Sequence, residues 1–440
     1  MSYSRMNIVA ALGSVALMLL LPQGASAQEA ETCVSGADVE REDRPSLMGE
    51  RTYRRISSVH EQLGEENYDE ARKTLESMEK GSLNDYEMAI VQQTLGYVWT
   101  GAGNYGKAVP YFEKAIALDS LPNSAHFGLM YSLAQLYAGM DPPRFQESVD
   151  LTLKYIEFQC DPKPEAYILV ASGYASMQRY LDSLPYVQQA IAKAGPNAKE
   201  SWYLLELAIY FEEKDYRSAA NLLTSMVSTW PDNLKYWEML SGAYQEQGRD
   251  TDALAVLMVA YHKGLVTEEK KLLNVVNMNM FLDVPYVAGT VLEREMQAGR
   301  IETNQKNLEK LRGAWTAARE FDKAVGVIDQ LAPMQDNGEL YVQKAQLMME
   351  KGQWDGVMVA AQQGIDKGGL KKPGGAYLLI GIAANELERW DEARAALAQV
   401  RPTGARSCGL PQDAAFRSRW PGGGGGMRRS LGPSVSAVWL

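Results

Sequence analysis

The strongest constraint on the fold of this 440-residue chain is a small residue that returns along most of its length. Successive copies are 33 to 40 residues apart, and self-similarity at such a period is typical of stacked supersecondary units. An aromatic residue stands three positions before eight of the ten copies. The ten anchor positions are Ala71, Ala108, Ser148, Ser183, Ala219, Ala253, Ala288, Ala324, Val357 and Ala393.

Each repeat has the pattern of a helical hairpin. In the second repeat, Tyr105 precedes Ala108 by three residues and Phe112 follows it by four, so all three share one helix face. A small anchor is needed where another helix crosses closely, and the aromatic fills the gap beside it. The segment YWEMLSGAYQEQG (236–248) shows the same helical spacing in the preceding helix. No alternation of period two predicts strands, so the fold class is all-α, with about ten hairpins.

The segment LGYVWTGAGNYGKAVPYFEKAIALD (95–119) resembles the tetratricopeptide repeat (TPR), through Leu95, Gly96, Ala108, Phe112 and Ala115. The resemblance covers residues 53–400, preceded by a lead segment over residues 28–52. It implies a TPR-type α-solenoid, a right-handed superhelix of about ten hairpins, that acts as a protein-binding scaffold. The third repeat departs from the pattern, because AGMDPPR (138–144) stretches it.

The same resemblance implies which side chains line a concave groove on the first helix of each hairpin. The Lys and Asn clamp that chaperone-type TPR domains use for a carboxylate is missing, so acidic C-terminal tails are not expected partners. The groove residues carried over by position are Gln93, Tyr97, Thr100, Ile168, Ser172, Leu204, Ala208, Phe211, Glu238, Gln245, Leu378 and Asn385.

Three segments, residues 201–223, 236–266 and 374–397, resemble exported TPR proteins associated with TonB–ExbB–ExbD systems of proteobacteria. This resemblance implies a periplasmic accessory of TonB-dependent energy transduction or uptake. Its partners would be TonB, ExbD or TonB-dependent receptors. Two alternatives stay open. One is a scaffold for cell-envelope or polysaccharide-export assembly, and the other is a carbohydrate-binding accessory protein that stacks sugars on Tyr97 and Phe211.

The N-terminus predicts export. Arg5 precedes an apolar run over residues 8–21, and Ala25-Ser26-Ala27 offers a cleavage site of small residues. This is the layout of a signal peptide over residues 1–27. The run is short for a spanning helix and no later run is longer, so we expect no membrane span after cleavage. In a Gram-negative bacterium the predicted location is the periplasm.

Three cysteines are present: Cys33, Cys160 and Cys408. In an oxidising compartment Cys33 and Cys160 are candidates for a disulfide. The alternative is two unrelated thiols, because the sequence alone does not bring their Cα atoms within bonding distance.

The charge balance disfavours nucleic acid as a partner. The net charge is −11, while the tail contributes +5 and Arg5 contributes +1, which leaves −17 for residues 28–400. Phosphate backbones need a basic face. Only His60, His126 and His262 are present, each in a different repeat, and no motif for a nucleophile, a metal or a phosphate loop appears. The sequence therefore predicts a protein without enzymatic activity, bound metal or cofactor.

Residues 401–440 break the repeat pattern and are rich in Arg and Gly, with GGGGG at 422–426. Two interpretations stay open: a disordered tail, or a reading-frame shift that replaced the natural C-terminus. A solenoid normally ends in a polar capping helix, and the pattern stops inside the tenth hairpin. If the frame was shifted, we expect an open apolar end near Ala384, Leu397 and Val400.

Overall fold

A computed structural model describes residues 41–400, which form twenty α-helices and no strand. The predicted signal peptide, Cys33 and the irregular tail lie outside these residues. The chain divides into two compact units, with the boundary between Met278 and Asn279. No helix in the described range is both long enough and apolar enough to cross a membrane.

Unit 1 contains the first six hairpins, each made of an A helix followed by a B helix. The odd-numbered helices are the A helices. The bounds are α1 Glu50–Gly64, α2 Tyr68–Glu79, α3 Asp85–Gly101, α4 Tyr105–Ala117, α5 Asn123–Gly139, α6 Phe145–Phe158, α7 Pro164–Ser176, α8 Tyr180–Ala194, α9 Glu200–Glu212, α10 Tyr216–Thr229, α11 Leu234–Glu246 and α12 Asp250–His262.

The seventh hairpin begins with α13, which contains the boundary residues, and unit 2 continues with three more hairpins. The bounds are α13 Glu269–Phe281, α14 Pro285–Gln297, α15 Gln305–Ala317, α16 Phe321–Leu331, α17 Glu339–Glu350, α18 Trp354–Lys367, α19 Pro373–Glu386 and α20 Trp390–Ala398.

The anchors lie where the pattern predicts. All ten are buried, and nine of them have no exposed surface. The aromatic three residues earlier is the first residue of the B helix in eight hairpins, as Tyr105 is for α4. The small residue thus sits one turn into the B helix, against the A helix of its own hairpin. The predicted all-α fold of TPR-type hairpins is confirmed.

The crossing of α3 and α4 explains why the anchor region tolerates only small side chains. A Cβ atom added to Gly96 of α3 would lie 2.2 Å from the ring of Phe112 in α4. Phe112 belongs to a buried cluster with Ala108, Leu129 and Leu133, the last two from α5. The ring is therefore enclosed by its own hairpin and by the next one.

Two anchors are serines, and the structure gives each hydroxyl a partner. Ser148 donates to the carbonyl oxygen of Ala134 at 2.7 Å, and Ser183 donates to that of Ala171 at 2.7 Å. Both acceptors lie on the A helix of the same hairpin. A buried hydroxyl without a partner would be costly, so these bonds make Ser an acceptable substitute for Ala.

In several hairpins a cationic side chain stacks on an aromatic ring at the turn between the A helix and the B helix. In the sixth hairpin the guanidinium of Arg249 lies 4.4 Å from the ring centre of Tyr244. Arg249 also pairs with Asp252 at 2.8 Å, one turn into α12. This contact holds the end of the A helix against the start of the B helix. The same kind of pair, with an arginine directly before the B helix, is formed by Arg144 with Tyr137 and by Arg179 with Tyr174. In two other hairpins a lysine in the first turn of the B helix lies over a tryptophan of the A helix, as Lys107 over Trp99 and Lys323 over Trp315.

Two details differ from the sequence-based expectation. The first helix begins at Glu50, three residues before the predicted start of the repeats. At the other end, Leu397 is exposed and Val400 is half-buried, whereas Ala384 is fully buried. The expectation that Ala384 contributes to an open apolar surface is therefore wrong. Ala384 lies on the buried side of α19, within the last hairpin.

Candidate partner-binding face

The predicted groove residues all lie on A helices, and we call the surface of these helices within each unit the A-helix face. Six of the twelve side chains are half-buried: Gln93, Ile168, Ser172, Leu204, Phe211 and Glu238. Four are exposed: Tyr97, Gln245, Leu378 and Asn385. The remaining two, Thr100 and Ala208, are buried.

Thr100 and Ala208 therefore offer almost no surface to a partner. The hydroxyl of Thr100 donates to the carbonyl oxygen of Gly96 at 2.8 Å, one turn earlier in α3. Ala208 lies in α9 between two other buried residues, Leu207 and Ile209. Their positions in the repeat are those of groove residues, but the packing of adjacent helices decides whether such a position reaches the surface.

Some side chains of this face are apolar and partly exposed, and Tyr97 among them also packs against a buried residue. Tyr97 is 36% exposed, and its ring meets Phe112 edge-on with the ring centres 5.0 Å apart. In unit 2, Leu378 and Ile382 are 42% and 37% exposed and lie one turn apart on α19. Ile382 is not among the predicted groove residues, although its spacing from Leu378 indicates the same helix face.

The half-buried apolar residues pack against the core and leave the rest of their side chains exposed to solvent. Leu204 and Phe211 pack against the buried cluster that contains Leu207 and Leu223. Ile168 packs in the same way against the cluster of the fourth hairpin. Part of each side chain is committed to the core, so only the remaining part is available to a ligand.

The sixth hairpin gives the face of unit 1 a polar region. Glu238 pairs with Lys271 of α13 at 3.0 Å, and Lys271 also approaches Glu268 at 3.6 Å. The hydrogen bond that Lys271 donates to Glu238 is the main reason that the pKa of Lys271 is raised. Gln245 lies on α11 as well, with its amide 3.6 Å from the sulfur of Met278. Lys271 has a charged partner on a neighbouring repeat, which a search for motifs does not reveal.

A cavity of about 350 Å³ opens between α4, α5 and α6 and has an apolar floor that includes Leu133 and Leu151. Its acidic rim is largely paired within the chain. Arg144 bridges Glu113 at 2.8 Å and Glu147 at 2.9 Å. Its guanidinium also stacks 3.9 Å from the ring centre of Tyr137. Arg144 therefore neutralises much of the negative charge at the rim of the cavity. It lies beside the stretched third repeat.

The titratable groups form no metal centre in the described range. Among residues 41–400, no group of three or more His, Cys, Asp and Glu side chains is arranged to hold a metal ion. His126 is buried, and this burial together with the charge of Arg41 lowers its pKa to about 4. His60 and His262 are exposed on other hairpins. Cys160 is disulfide-bonded, and its predicted partner Cys33 lies outside the described residues.

No protein-family model matches the sequence, and no curated protein matches it. Solved structures similar to this chain include a tetratricopeptide repeat protein from Parabacteroides merdae, at 13% identity over 60% of this chain and 99% of that chain, with a TM-score of 0.35. MamA from Desulfovibrio magneticus shares 16% identity over 42% of this chain and 99% of that chain, with a TM-score of 0.35. YrrB, described as a TPR protein with an unusual peptide-binding site, shares 15% identity over 40% of this chain and 92% of that chain, with a TM-score of 0.32. The fold assignment rests on the hairpins themselves.

Proposed function

We propose that this protein is a non-enzymatic scaffold whose A-helix face binds a segment of a partner protein. One observation carries the proposal. Each unit keeps side chains on its A helices that the hairpin packing leaves partly exposed, among them Tyr97 in unit 1 and Leu378 with Ile382 in unit 2. Aromatic and aliphatic side chains on a rigid helical frame are the usual anchors of protein interfaces.

The mixed chemistry of the unit 1 face suggests the kind of segment that it takes. Tyr97 offers a ring edge and a hydroxyl, Ile168 and Leu204 offer apolar surface, and Glu238 with Gln245 offers polar groups. An amphipathic segment would match such a series of sites. Because the stretch over residues 28–400 carries a net charge of −17, a partner with basic side chains is favoured by long-range attraction.

We further propose that the setting is the periplasm and that the partner is a component of a TonB–ExbB–ExbD system or a TonB-dependent receptor. The support is the signal-peptide layout of residues 1–27 and the resemblance of residues 201–223, 236–266 and 374–397 to proteins associated with such systems. A carbohydrate ligand is not favoured, because Phe211 is half-buried against Tyr216 and does not present an open ring face.

Site-specific crosslinking in the native compartment tests the proposal. A photoreactive amino acid replaces Tyr97 or Gln245 on the A-helix face, and the crosslinked proteins are identified by mass spectrometry. Matched controls carry the same amino acid at Leu181 of α8 or Val359 of α18, which are exposed but lie on B helices.

We expect specific adducts from the two A-helix positions and none from the two B-helix positions. Recovery of TonB, ExbD or an outer-membrane receptor would support the finer assignment. Adducts of another envelope protein at the same positions would support the scaffold function but contradict the assignment to a TonB system. Equal crosslinking from both sets of positions would contradict the A-helix face itself.

A further inference from the structure

The cavity between α4, α5 and α6 lies on the B-helix side of the second and third hairpins, and we call it the α4–α6 groove. Its walls are α4 and α6, which are consecutive B helices, and its floor includes Leu133 in the C-terminal half of α5. None of its lining residues belongs to the set of groove residues predicted on the A helices. The α4–α6 groove is therefore distinct from the exposed A-helix positions of the proposed function.

Both walls of the α4–α6 groove follow the same helical spacing. On α4, Ile116 follows Glu113 by three residues, and on α6, Asp150 and Leu151 follow Glu147 by three and four. Residues three or four apart share a helix face, so each wall presents acidic and apolar side chains together. Ile116 and Leu151 also pack against the buried cluster of the second and third hairpins, which holds the walls in place.

The rim of the groove carries more negative than positive charge. Arg144 donates to Glu113 at 2.8 Å and to Glu147 at 2.9 Å, and the hydroxyl of Tyr137 donates to Glu113 at 2.5 Å. The hydrogen bond from Arg144 is the main reason that the pKa of Glu147 is lowered, so Glu147 is ionised at neutral pH. With Asp150, three carboxylates face one guanidinium, which leaves a formal charge of −2 at the rim.

Asp150 is the rim carboxylate that Arg144 does not neutralise. It is exposed on α6 and accepts from the side-chain amide of Gln146, one turn earlier, at 2.8 Å. Among residues 41–400 no ion pair reaches it. Arg179 also donates to Gln146, at 3.3 Å, but it pairs with Asp182 at 2.8 Å and so has its own counterion. Asp150 is thus open to a cation from outside the chain.

The chemistry of the groove suits a long basic side chain better than a metal ion. In the described range the carboxylates form no group of three that could hold a metal, and an apolar floor offers no oxygen ligands. Lys and Arg, by contrast, lay their methylene stems along apolar surface and keep the charged end beside a carboxylate. A volume of about 350 Å³ is at the low end for ligand pockets, which fits one such side chain with an apolar neighbour.

We propose that the α4–α6 groove docks a segment of a partner protein in which an Arg or Lys is flanked by aliphatic residues. The aliphatic side chains cover Leu133 and Leu151, and the basic group pairs with Asp150. The net charge of −17 over residues 28–400 attracts such a segment at long range. This proposal does not depend on the binding function of the A-helix face.

The test uses the full mature chain, a defined probe and methyl NMR. The probe is the blocked peptide Gly-Leu-Arg-Leu-Gly. Two control peptides, Gly-Leu-Gln-Leu-Gly and Gly-Ser-Arg-Ser-Gly, remove its charge and its aliphatic side chains, respectively. The methyl signals of Ile116, Leu133 and Leu151 report binding in the groove, and those of Ile168 and Leu204 report binding on the A-helix face.

Two variants locate the charge that the probe meets. Asp150→Lys reverses the charge at the rim of the groove. Asp366→Lys is the matched control, because Asp366 is also exposed on a B helix, α18, and also accepts from a glutamine four residues earlier, Gln362, at 2.8 Å. Unchanged methyl signals outside the groove show that each variant is folded.

We expect saturable shifts of the three groove residues with Gly-Leu-Arg-Leu-Gly. Binding should be at least about fivefold weaker for either control peptide and for Asp150→Lys, whereas Asp366→Lys should bind like the unaltered chain. Absence of shifts in the groove, or equal binding by Asp150→Lys and the unaltered chain, would overturn the proposal. Shifts confined to Ile168 and Leu204 would also overturn it, while supporting the A-helix face.

Discussion

The second and tenth hairpins both pair a glycine of the A helix with a large apolar side chain of the B helix, at the same spacing, yet they bury that side chain differently. A Cβ atom on Gly96 would meet Phe112 at 2.2 Å, and one on Gly381 would meet Leu397 at 2.7 Å. Phe112 is 1% exposed, whereas Leu397 is 44% exposed. The close approach of the two helices is thus a property of each hairpin, but the burial of the large side chain is not.

The difference lies in the neighbour on the C-terminal side of each hairpin. Beside the second hairpin, α5 supplies Leu129 and Leu133 to the cluster that encloses Phe112. Beside the tenth, the described residues contain no further helix after α20. A repeat of this kind cannot bury its own apolar face completely, so its stability depends on its neighbour. The free energy of local opening should therefore differ between the two hairpins.

The largest effect is expected from removing the buried ring. Phe112→Ala should lower the free energy of opening of α4 by about 3–5 kcal/mol, because it leaves a cavity between two hairpins. Leu397→Ala should cost about 1 kcal/mol or less in α20, because nearly half of that side chain is already in water. Hydrogen exchange of the two helices measures both values. Equal losses would contradict the role of the neighbouring hairpin.

A smaller effect is expected from adding one methyl group. Gly96→Ala should destabilise α4 by about 1–3 kcal/mol, since the rigid ring of Phe112 must move. Gly381→Ala should cost less, because the exposed Leu397 can turn away. The control is Gly128→Ala in α5, where a Cβ atom meets nothing within 4 Å, and where we expect a gain of up to about 1 kcal/mol. Thermal denaturation ranks the three, and a ranking with Gly381→Ala as the most harmful would refute the explanation.

The stability of the protein should depend on pH through α5, the helix that packs on the second hairpin. His126 in α5 is 4% exposed, and its pKa of about 4 lies below the unfolded value of 6.5. The unfolded state therefore binds more protons between these values, and stability falls as the pH drops through this window. The expected loss is about 2 kcal/mol between pH 7 and pH 5.

His126→Phe should remove this pH dependence, and substitution of the exposed His262 by Gln should not. The charged groups that act on His126 are Arg41, Asp119 and Lys154, so the experiment stays above pH 5, where the carboxylate remains ionised. Urea titrations at several pH values give the slopes. A variant without His126 that keeps the full slope would show that another group is responsible.

The smallest effect is expected at an anchor. Ser183→Ala removes the bond to the carbonyl oxygen of Ala171 but installs the residue that most anchors already carry. We expect a change of less than about 1 kcal/mol in the free energy of unfolding, by urea titration. A loss above about 2 kcal/mol would mean that the hydroxyl, and not the small size of the side chain, determines the anchor.

The hairpins could be predicted from the sequence because their rule is local. A small residue such as Ala108 and a ring such as Tyr105 recur at fixed spacing, and the structure places both as the pattern predicts. The groove residues were less predictable. Thr100 and Ala208 occupy groove positions in the pattern but are buried, because exposure depends on how closely neighbouring A helices pack.

Contacts between distant residues could not be predicted at all. The bonds from Arg41 to Asp119 and from Gly49 to Glu87 join segments with no shared periodicity. The stacked turn pairs, by contrast, were accessible in principle. Arg249 follows Tyr244 by five residues, and Arg179 follows Tyr174 by the same distance. A comparison of the repeats at the turn, and not only at the anchor, would have revealed them.

Hydrogen exchange of α4 and α20 in the unaltered chain tests most directly whether a neighbouring hairpin determines stability. We predict that the amides around Phe112 exchange at least about a hundredfold more slowly than those around Leu397, after correction for intrinsic rates. Equal protection of the two helices would contradict this explanation, because it would show that the burial of the large side chain by an adjacent helix does not determine the stability of a hairpin.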